Sequence, residues 1–509
     1  MTKTFTLRNL TTGSLILKSV EYIQHDPSLR TNQYAITDVV VSNVTKFIRG
    51  ITSSSHVVTT QPLHEGSQES KIGRRQDLEL IVRPWTSIST TVQQVTDEQR
   101  NEIRLTLQVA DANNATWHID IPRSASGSET PVLLTRDAAP GYLALFIPPS
   151  DSVVIFPDTP LDDWMRELPG STPLSYLSIP GTHNTPTCHI ALPSVRCQAV
   201  SPATQLRNGI RFFDVRVQIA DVPAGSTHDS TTADDTAALL LVHGAFPIAL
   251  TGRPRTFRVL VDDIQAFLRE HPSETVIISI KREGLGKPGT DAQLARILRR
   301  GYLCVNGWYL EPRIPSLGEV RGKIVLLRRF ALDDDQGVNH DGSSAGLGLD
   351  ADNWIHNSPS CLSGHVCVQD FCDVLEPKSI RKKIEYCCAH FERASAAIGK
   401  AALSRDASVS VPLFLNFLTG SNLWNVGCWP ERIAARINPV VTAFLCERHV
   451  TVVDGGAVGE LKGTSDGVAT DSGALGVVVC DWVGKDDDWN LVRTIVAMNG
   501  WLVSPRIKP

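Results

Sequence analysis

The chain has 509 residues, a formal net charge of −5, and 42% hydrophobic and 20% charged residues. This length exceeds one ordinary core and predicts two domains. The charge leaves no basic footprint for nucleic acid, and apolar runs such as 475–483 are about half the ~20 residues of a membrane-spanning helix.

The N-terminus, MTKTFTLRNLTTGS, is polar and lacks the apolar stretch of a secretory signal, so a cytoplasmic or peripheral-membrane location is expected. Residues 1–155 read as an all-β, sandwich-like accessory domain. TFTLRNL, SLILKSVEYI, YAITDVVVSNV (34–44), LELIVRPW, EIRLTLQVA and TWHIDIP are short alternating or β-branched runs separated by turn residues. No clustered set of His, Asp or Glu in them carries chemistry. A proline-rich acidic joint, FPDTPLDDWMRELPGSTP (156–173), then changes the texture.

Beyond it, strands alternate with helix-like stretches. TFRVLVDDIQAFLREHP (256–272) has apolar residues at helical spacing and stops at a proline. Eight candidate strands follow in order: LSYLSIP, RFFDVRV, LLLVHG, VIISIKRE, KIVLLRRF, VCVQD, PLFLNF and LGVVVCD. This grammar predicts a (β/α)8 barrel over 174–509. Loop insertions are expected at 221–237, 333–350 and 454–474. DDDQGVNHDG (333–342) lacks the spacing and terminal Glu of an EF-hand and reads as a solvated loop. The eleven cysteines have no C-x-x-C pair and read as reduced, buried thiols.

The chemistry collects where the apolar runs stop. The first gives His183, the second Asp214 and Arg216, the third His243, the fourth Lys281 and Glu283. Arg329, Asp370, Asn416 and Asp481 mark the fifth to eighth. In a barrel all these ends meet at one mouth. Singly, each has a plain structural reading; Asp214 and Arg216, two apart on one strand face, can simply pair. Together, two histidines suit base and acid roles near neutral pH. Arginine suits an anionic phosphoryl oxygen, and a buried aspartate can hold one imidazole in its working tautomer. The set fits metal-free cleavage of a phosphodiester.

SIPGTHNT, GIRFFDVRV, LVHG, HPSETVIISIKRE and RGKIVLLRRF, followed by VCVQD, LFLNF…LWN…INP and VVVCDWV, resemble in the same order the X domain of phosphatidylinositol-specific phospholipase C, its bacterial, metal-independent branch above all. The resemblance covers most of 160–509 and none of 1–155. It implies a distorted, partly open TIM barrel. It also implies cleavage of phosphatidylinositol, or a glycosylphosphatidylinositol anchor, to inositol 1,2-cyclic phosphate and, for phosphatidylinositol, diacylglycerol. By resemblance His183 is the general base, oriented by Asp481, and His243 is the general acid. Arg216 binds the phosphate, with Asp214 and Lys281 at the phosphate end. Glu283, Arg329 and Asp370 contact inositol hydroxyls, and Trp424 touches the membrane. The implied partner is an inositol phospholipid at a membrane surface.

Two positions depart from the bacterial pattern. Asn184 stands where an aspartate normally supports the second histidine and the arginine. An amide hydrogen-bonds but cannot stabilise an imidazolium by charge. Asn is also the calcium ligand of the eukaryotic branch, yet Arg216 and Lys281 would repel Ca²⁺, so no cofactor is expected. Cys372 stands where a tyrosine stacks on the inositol ring, which loosens head-group specificity. Another phospholipid or glycerophosphodiester as substrate, or a non-catalytic phosphoinositide-binding barrel, therefore stays open.

Overall fold

The computed structural model describes residues 2–24, 71–93, 101–109, 116–121, 128, 130–134, 141–192, 194–220, 239–304, 306–332, 346–404, 410–447 and 472–503. The expected strand at 34–44 and the loops 221–237, 333–345 and 454–471 lie outside the described residues.

In the N-terminal part, one sheet has the order β4 (Thr86–Gln93), β1 (Thr2–Asn9), β9 (Ser152–Pro157), β8 (Tyr142–Ile147), β7 (Val132–Leu134). A second has the order β3 (Lys71–Val82), β2 (Leu15–Gln24), β5 (Asn101–Val109), β6 (Thr116–Ile121). Alternation along the strands sends Leu7, Phe146, Val153 and Ile155 toward Leu17, Val20, Leu105 and Leu107, so the two sheets share one apolar core. The first sheet has a second buried face: Leu143, Leu145, Val154 and Phe156 belong to the core of the C-terminal part. Residues 158–173 pack there as well. Trp164 Nε1 donates to Gly209 O (3.0 Å), and Met165 N donates to Glu274 Oε1 (3.0 Å). Glu274 also pairs with the fully buried Arg211 at 2.8 Å.

The C-terminal sheet curls into a half-barrel. Its parallel strands run in the order β16 (Ile324–Arg328), β14 (Val276–Arg282), β11 (Phe212–Ile219), β10 (Ile179–Thr182), β21 (Val477–Cys480), β20 (Leu413–Phe417), β19 (Val366–Gln369). Among the described residues β16 and β19 share no ladder. His365 spans that opening, donating its N–H to Asp350 O (2.9 Å) and accepting from Asp350 N at Nδ1 (2.9 Å). The helix expected from 256–272 runs over Phe257–Glu270 (α1). Ser379–Leu403 (α2), Pro430–Glu447 (α3) and Asn490–Ala497 (α4) cover the later strands.

Two expectations need correction. LLLVHG is not a parallel stave: β12 (Leu239–His243) pairs antiparallel with β11, Val217 opposite Leu241 and Ile219 opposite Leu239. The reason is length. β10 is four residues long and covers only Phe212 and Phe213 of the eight-residue β11. The uncovered upper edge of β11 takes the returning β12, which buries Leu239 and Leu241. Asn416 does not face the mouth. It is fully buried, donating to Cys387 O of α2 (2.9 Å) and accepting from Gln369 Nε2 (2.8 Å). LSYLSIP also enters its strand late, since Leu174–Tyr176 is a 3-10 turn.

Candidate active site

The site begins with the stop after β10. Gly181 is required because a Cβ there would sit 2.9 Å from Phe212 Cβ. β10 thus lies tight against β11, and the chain turns at Asn184, whose φ of 42° is left-handed and suits an asparagine. The turn aims His183 into a cavity of about 420 Å³ at the strand ends.

His183 Nδ1 lies 3.0 Å from Asp481 Oδ1 at the end of β21. A carboxylate only accepts, so Nδ1 carries the proton and Nε2 presents its lone pair. Asn184 Nδ2 donates to that Nε2 at 3.1 Å. Gln198, which sequence reasoning missed, braces the pair through Nε2, donating to His183 O (2.7 Å) and Cys480 O (3.1 Å). A single glutamine in a loop carries no periodic or motif signal. Burial raises the Asp481 pKa, opposed by the adjacent His183.

His243 faces His183 edge-on, ring centroids 5.6 Å apart at 89°. The antiparallel return of β12 lowers it into the mouth. Its Nδ1 donates to Val195 O at 2.9 Å, which leaves Nε2 for the cavity. Burial, then the proximity of His183 and Arg216, pushes its pKa down to about 4. No carboxylate at 184 offsets this. Among the described residues, Asn184 Oδ1 is buried without a donor.

Arg216 lies beside the histidines, clamped by Asp214 Oδ2 (3.0 Å) and Glu283 Oε1 (2.9 Å). β11 and β14 place Arg216 opposite Lys281. These like charges are bridged by Glu283, whose Oε1 also accepts from Lys281 at 2.8 Å. Burial would raise the Glu283 pKa, but Arg216 and Lys281 overcome it and lower it to about 2. Burial would likewise raise Asp214, yet Arg216 and Arg329 keep it far below the usual carboxylate range.

Asp214 is fully buried behind the cavity. It accepts from Asn184 N (3.3 Å), Arg216 and Arg329 (3.2 Å), so it positions its neighbours. Arg329 stacks on Trp354, 3.4 Å from guanidinium carbon to ring centroid, another residue missed from sequence. Burial lowers the Arg329 pKa to about 10, and Asp214 opposes the fall. Arg329, Lys281, Glu283 and Asp370 line the cavity, as does Cys372 at its lip. Trp424 stands apart, 91% exposed, on the rim with the exposed Leu375, Leu423 and Val426. Of the residues expected from sequence, the structure thus brings together at or behind one cavity all but two: Asn416, buried against α2, and Trp424, on the outer rim.

Residues 170–330 match the family profile of phosphatidylinositol-specific phospholipase C, X domain. That match covers 161 of the 509 residues. A 1-phosphatidylinositol phosphodiesterase of Listeria monocytogenes is 32% identical over 176 residues, covering 32% of this chain and 47% of the relative. One from Staphylococcus aureus strain Newman is 24% identical over 178 residues, 33% and 51% of the two chains. The chain thus spans about half the length of the curated relatives it matches. A solved S. aureus phosphatidylinositol-specific phospholipase C covers 67% of this chain and 98% of its own, at 20% identity and a TM-score of 0.47. The X-domain match contains His183, Asn184, Asp214, Arg216, His243, Lys281, Glu283 and Arg329; Asp370, Trp424 and Asp481 lie beyond it.

Proposed function

We propose that this chain is a phosphodiesterase that cleaves phosphatidylinositol at a membrane surface to diacylglycerol and inositol 1,2-cyclic phosphate. The observation that carries this reading is the facing of His183, held by Asp481, and His243 beside the clamped Arg216. In this reading the inositol 2-hydroxyl displaces the Asn184 amide from His183 Nε2 and gives up its proton there. The oxygen attacks phosphorus, Arg216 stabilises the phosphoryl charge, and His243 protonates the departing diacylglycerol oxygen. General acid–base steps of this kind are each worth ~10²–10⁴ in rate.

The reaction needs no metal. Arg216, Lys281 and Arg329 meet at the cavity, and that concentration of positive charge opposes a hard cation such as Ca²⁺. Glu283, Arg329 and Asp370 are assigned to inositol hydroxyls. Trp424 and its apolar neighbours are assigned to the membrane surface, which fits a peripheral location. No helix among the described residues is long and apolar enough to cross a membrane. The barrel is read as a distorted TIM barrel over 174–509, and 1–155 as an accessory β-sandwich.

The test is a ³¹P NMR time course on phosphatidylinositol micelles, with EDTA or with calcium. A cyclic phosphodiester resonance is expected in the EDTA sample, and its loss in His183→Ala and His243→Ala, both folded. Activity only with calcium, or wild-type turnover in either variant, overturns the mechanism. A second reading, a non-catalytic phosphoinositide-binding barrel, is favoured by the low pKa of His243. Phosphatidylinositol binding without product in either sample selects it.

A further inference from the structure

The mechanism leaves one chemically reactive group of the site unused. Cys197 is fully buried, on the loop that also supplies Val195 and Gln198. Its Sγ lies 3.7 Å from His243 Nδ1. One ligand atom each from His183, Cys197 and His243 falls within 4.8 Å of the others.

Two imidazoles and a thiol are donors for a thiophilic ion, not for calcium or magnesium. Zinc bonds of ~2.1 Å to nitrogen and ~2.3 Å to sulfur place tetrahedral donors roughly 3.4–3.8 Å apart. Side-chain rotation has to close a difference of up to roughly 1.4 Å. His183 is already arranged as a ligand. Asp481 holds its Nδ1 proton, so Nε2 carries the lone pair, and the ion displaces the Asn184 amide from it, in the carboxylate–histidine–metal pattern of zinc sites. His183 and His243 both line the substrate cavity. Arg216, Lys281 and Arg329 oppose any cation here, but a thiophilic ion gains the Cys197 thiolate and two imidazoles, which Ca²⁺ does not bind well, and Asp214, Glu283 and Asp481 offset part of the charge.

We infer that His183, Cys197 and His243 form a site for Zn²⁺ or a similar thiophilic divalent ion, and that its occupation reversibly switches the enzyme off. The ion takes the lone pair of the base and, once the Nδ1 proton has moved to Nε2 and the hydrogen bond to Val195 O is given up, Nδ1 of the acid. Its uptake exchanges one proton: Cys–SH and Zn²⁺ give Cys–S⁻–Zn²⁺ and H⁺. The switch-off rests on the phosphodiesterase reading; the metal site does not.

A second cluster, His356, Cys372 and Asp373, sits at the lip of the same cavity but is more exposed. It is the natural control. The experiment titrates the full, reduced chain with Co²⁺ and follows the thiolate-to-cobalt charge-transfer absorption, which reports a Co–S bond whether or not the protein turns over substrate. Wild type and Cys372→Ser should give the band at one equivalent, displaced by Zn²⁺. Cys197→Ser and Cys197→Ala, shown folded by circular dichroism, should lack it. In parallel, Zn²⁺ should inhibit phosphatidylinositol cleavage, EDTA should restore it, and the inhibitory concentration should rise at least tenfold in Cys197→Ser relative to its own metal-free rate. A wild type without the band, or a band that persists in Cys197→Ser and disappears in Cys372→Ser, overturns the site. A band without inhibition overturns the switch. If no variant turns over, the band still decides the site, and the phosphodiesterase reading has failed separately.

Discussion

At the scale of residues, Asn184 sets the balance of the site. Its side-chain N–H caps the lone pair of His183, and its neutral amide adds no counter-charge for His243. A general acid whose pKa is near 4 is protonated in only about one molecule in a thousand at pH 7 before substrate arrives. Asn184→Asp would add a negative charge beside both histidines and stabilise the imidazolium. The expected outcome is a kcat/KM raised by about 10–100-fold at pH 7. The alkaline limb of its pH profile, which reports the acid in free enzyme, should move to higher pH. A fall in rate with no shift of that limb would assign the amide a role of its own. The identity of each such residue was legible in the motif, since His183 and His243 end apolar runs. Their supports were not. Gln198 and Trp354 act only because distant loops bring them under His183 and Arg329.

At the scale of elements, the strand ends divide between chemistry and surface. β10 is short, so β11 is left with an open edge, β12 returns along it, and His243 arrives by an antiparallel route. The alternation of LLLVHG is the same for either direction of pairing, so sequence pattern could not distinguish them. After β20 the chain exposes Leu423, Trp424 and Val426 beside Leu375. Asn422 and Asn425 each donate through Nδ2 to Leu375 O (2.9 and 3.2 Å), fixing the two loops together. Burying a tryptophan of this exposure in a lipid interface is worth on the order of 1–2 kcal/mol. Trp424→Ala should therefore weaken binding to phosphatidylinositol vesicles by roughly tenfold. Turnover of a soluble inositol phosphodiester should be unchanged. Equal loss on both substrates would place Trp424 in the packing of the barrel instead.

At the scale of the whole molecule, the structure carries a pH dependence that is separate from catalysis. His390 on α2 is fully buried against Phe414, with Arg393 donating to its Nδ1 at 3.0 Å. Burial, then Arg393, lowers its pKa to about 3. The unfolded chain takes up a proton near pH 6.5 and the folded chain does not, so stability is full above ~6.5 and falls as pH drops toward 3. Between pH 6.5 and 5 this one group costs about 2 kcal/mol. Thermal unfolding of His390→Phe should show a flatter slope over that window than wild type; parallel slopes would assign the loss elsewhere. The order of strands, a helix within 256–272 and the histidines, arginines and carboxylates of the mouth were legible in the sequence. Apolar periodicity and the residues that stop it are local properties, read along the chain. The direction of β12, the burial of Asn416 against α2 and the thiol of Cys197 beside both histidines were fixed by tertiary contacts. These depend on which strand leaves an edge uncovered and which loops cross the mouth, contacts between residues far apart in sequence that no local pattern encodes.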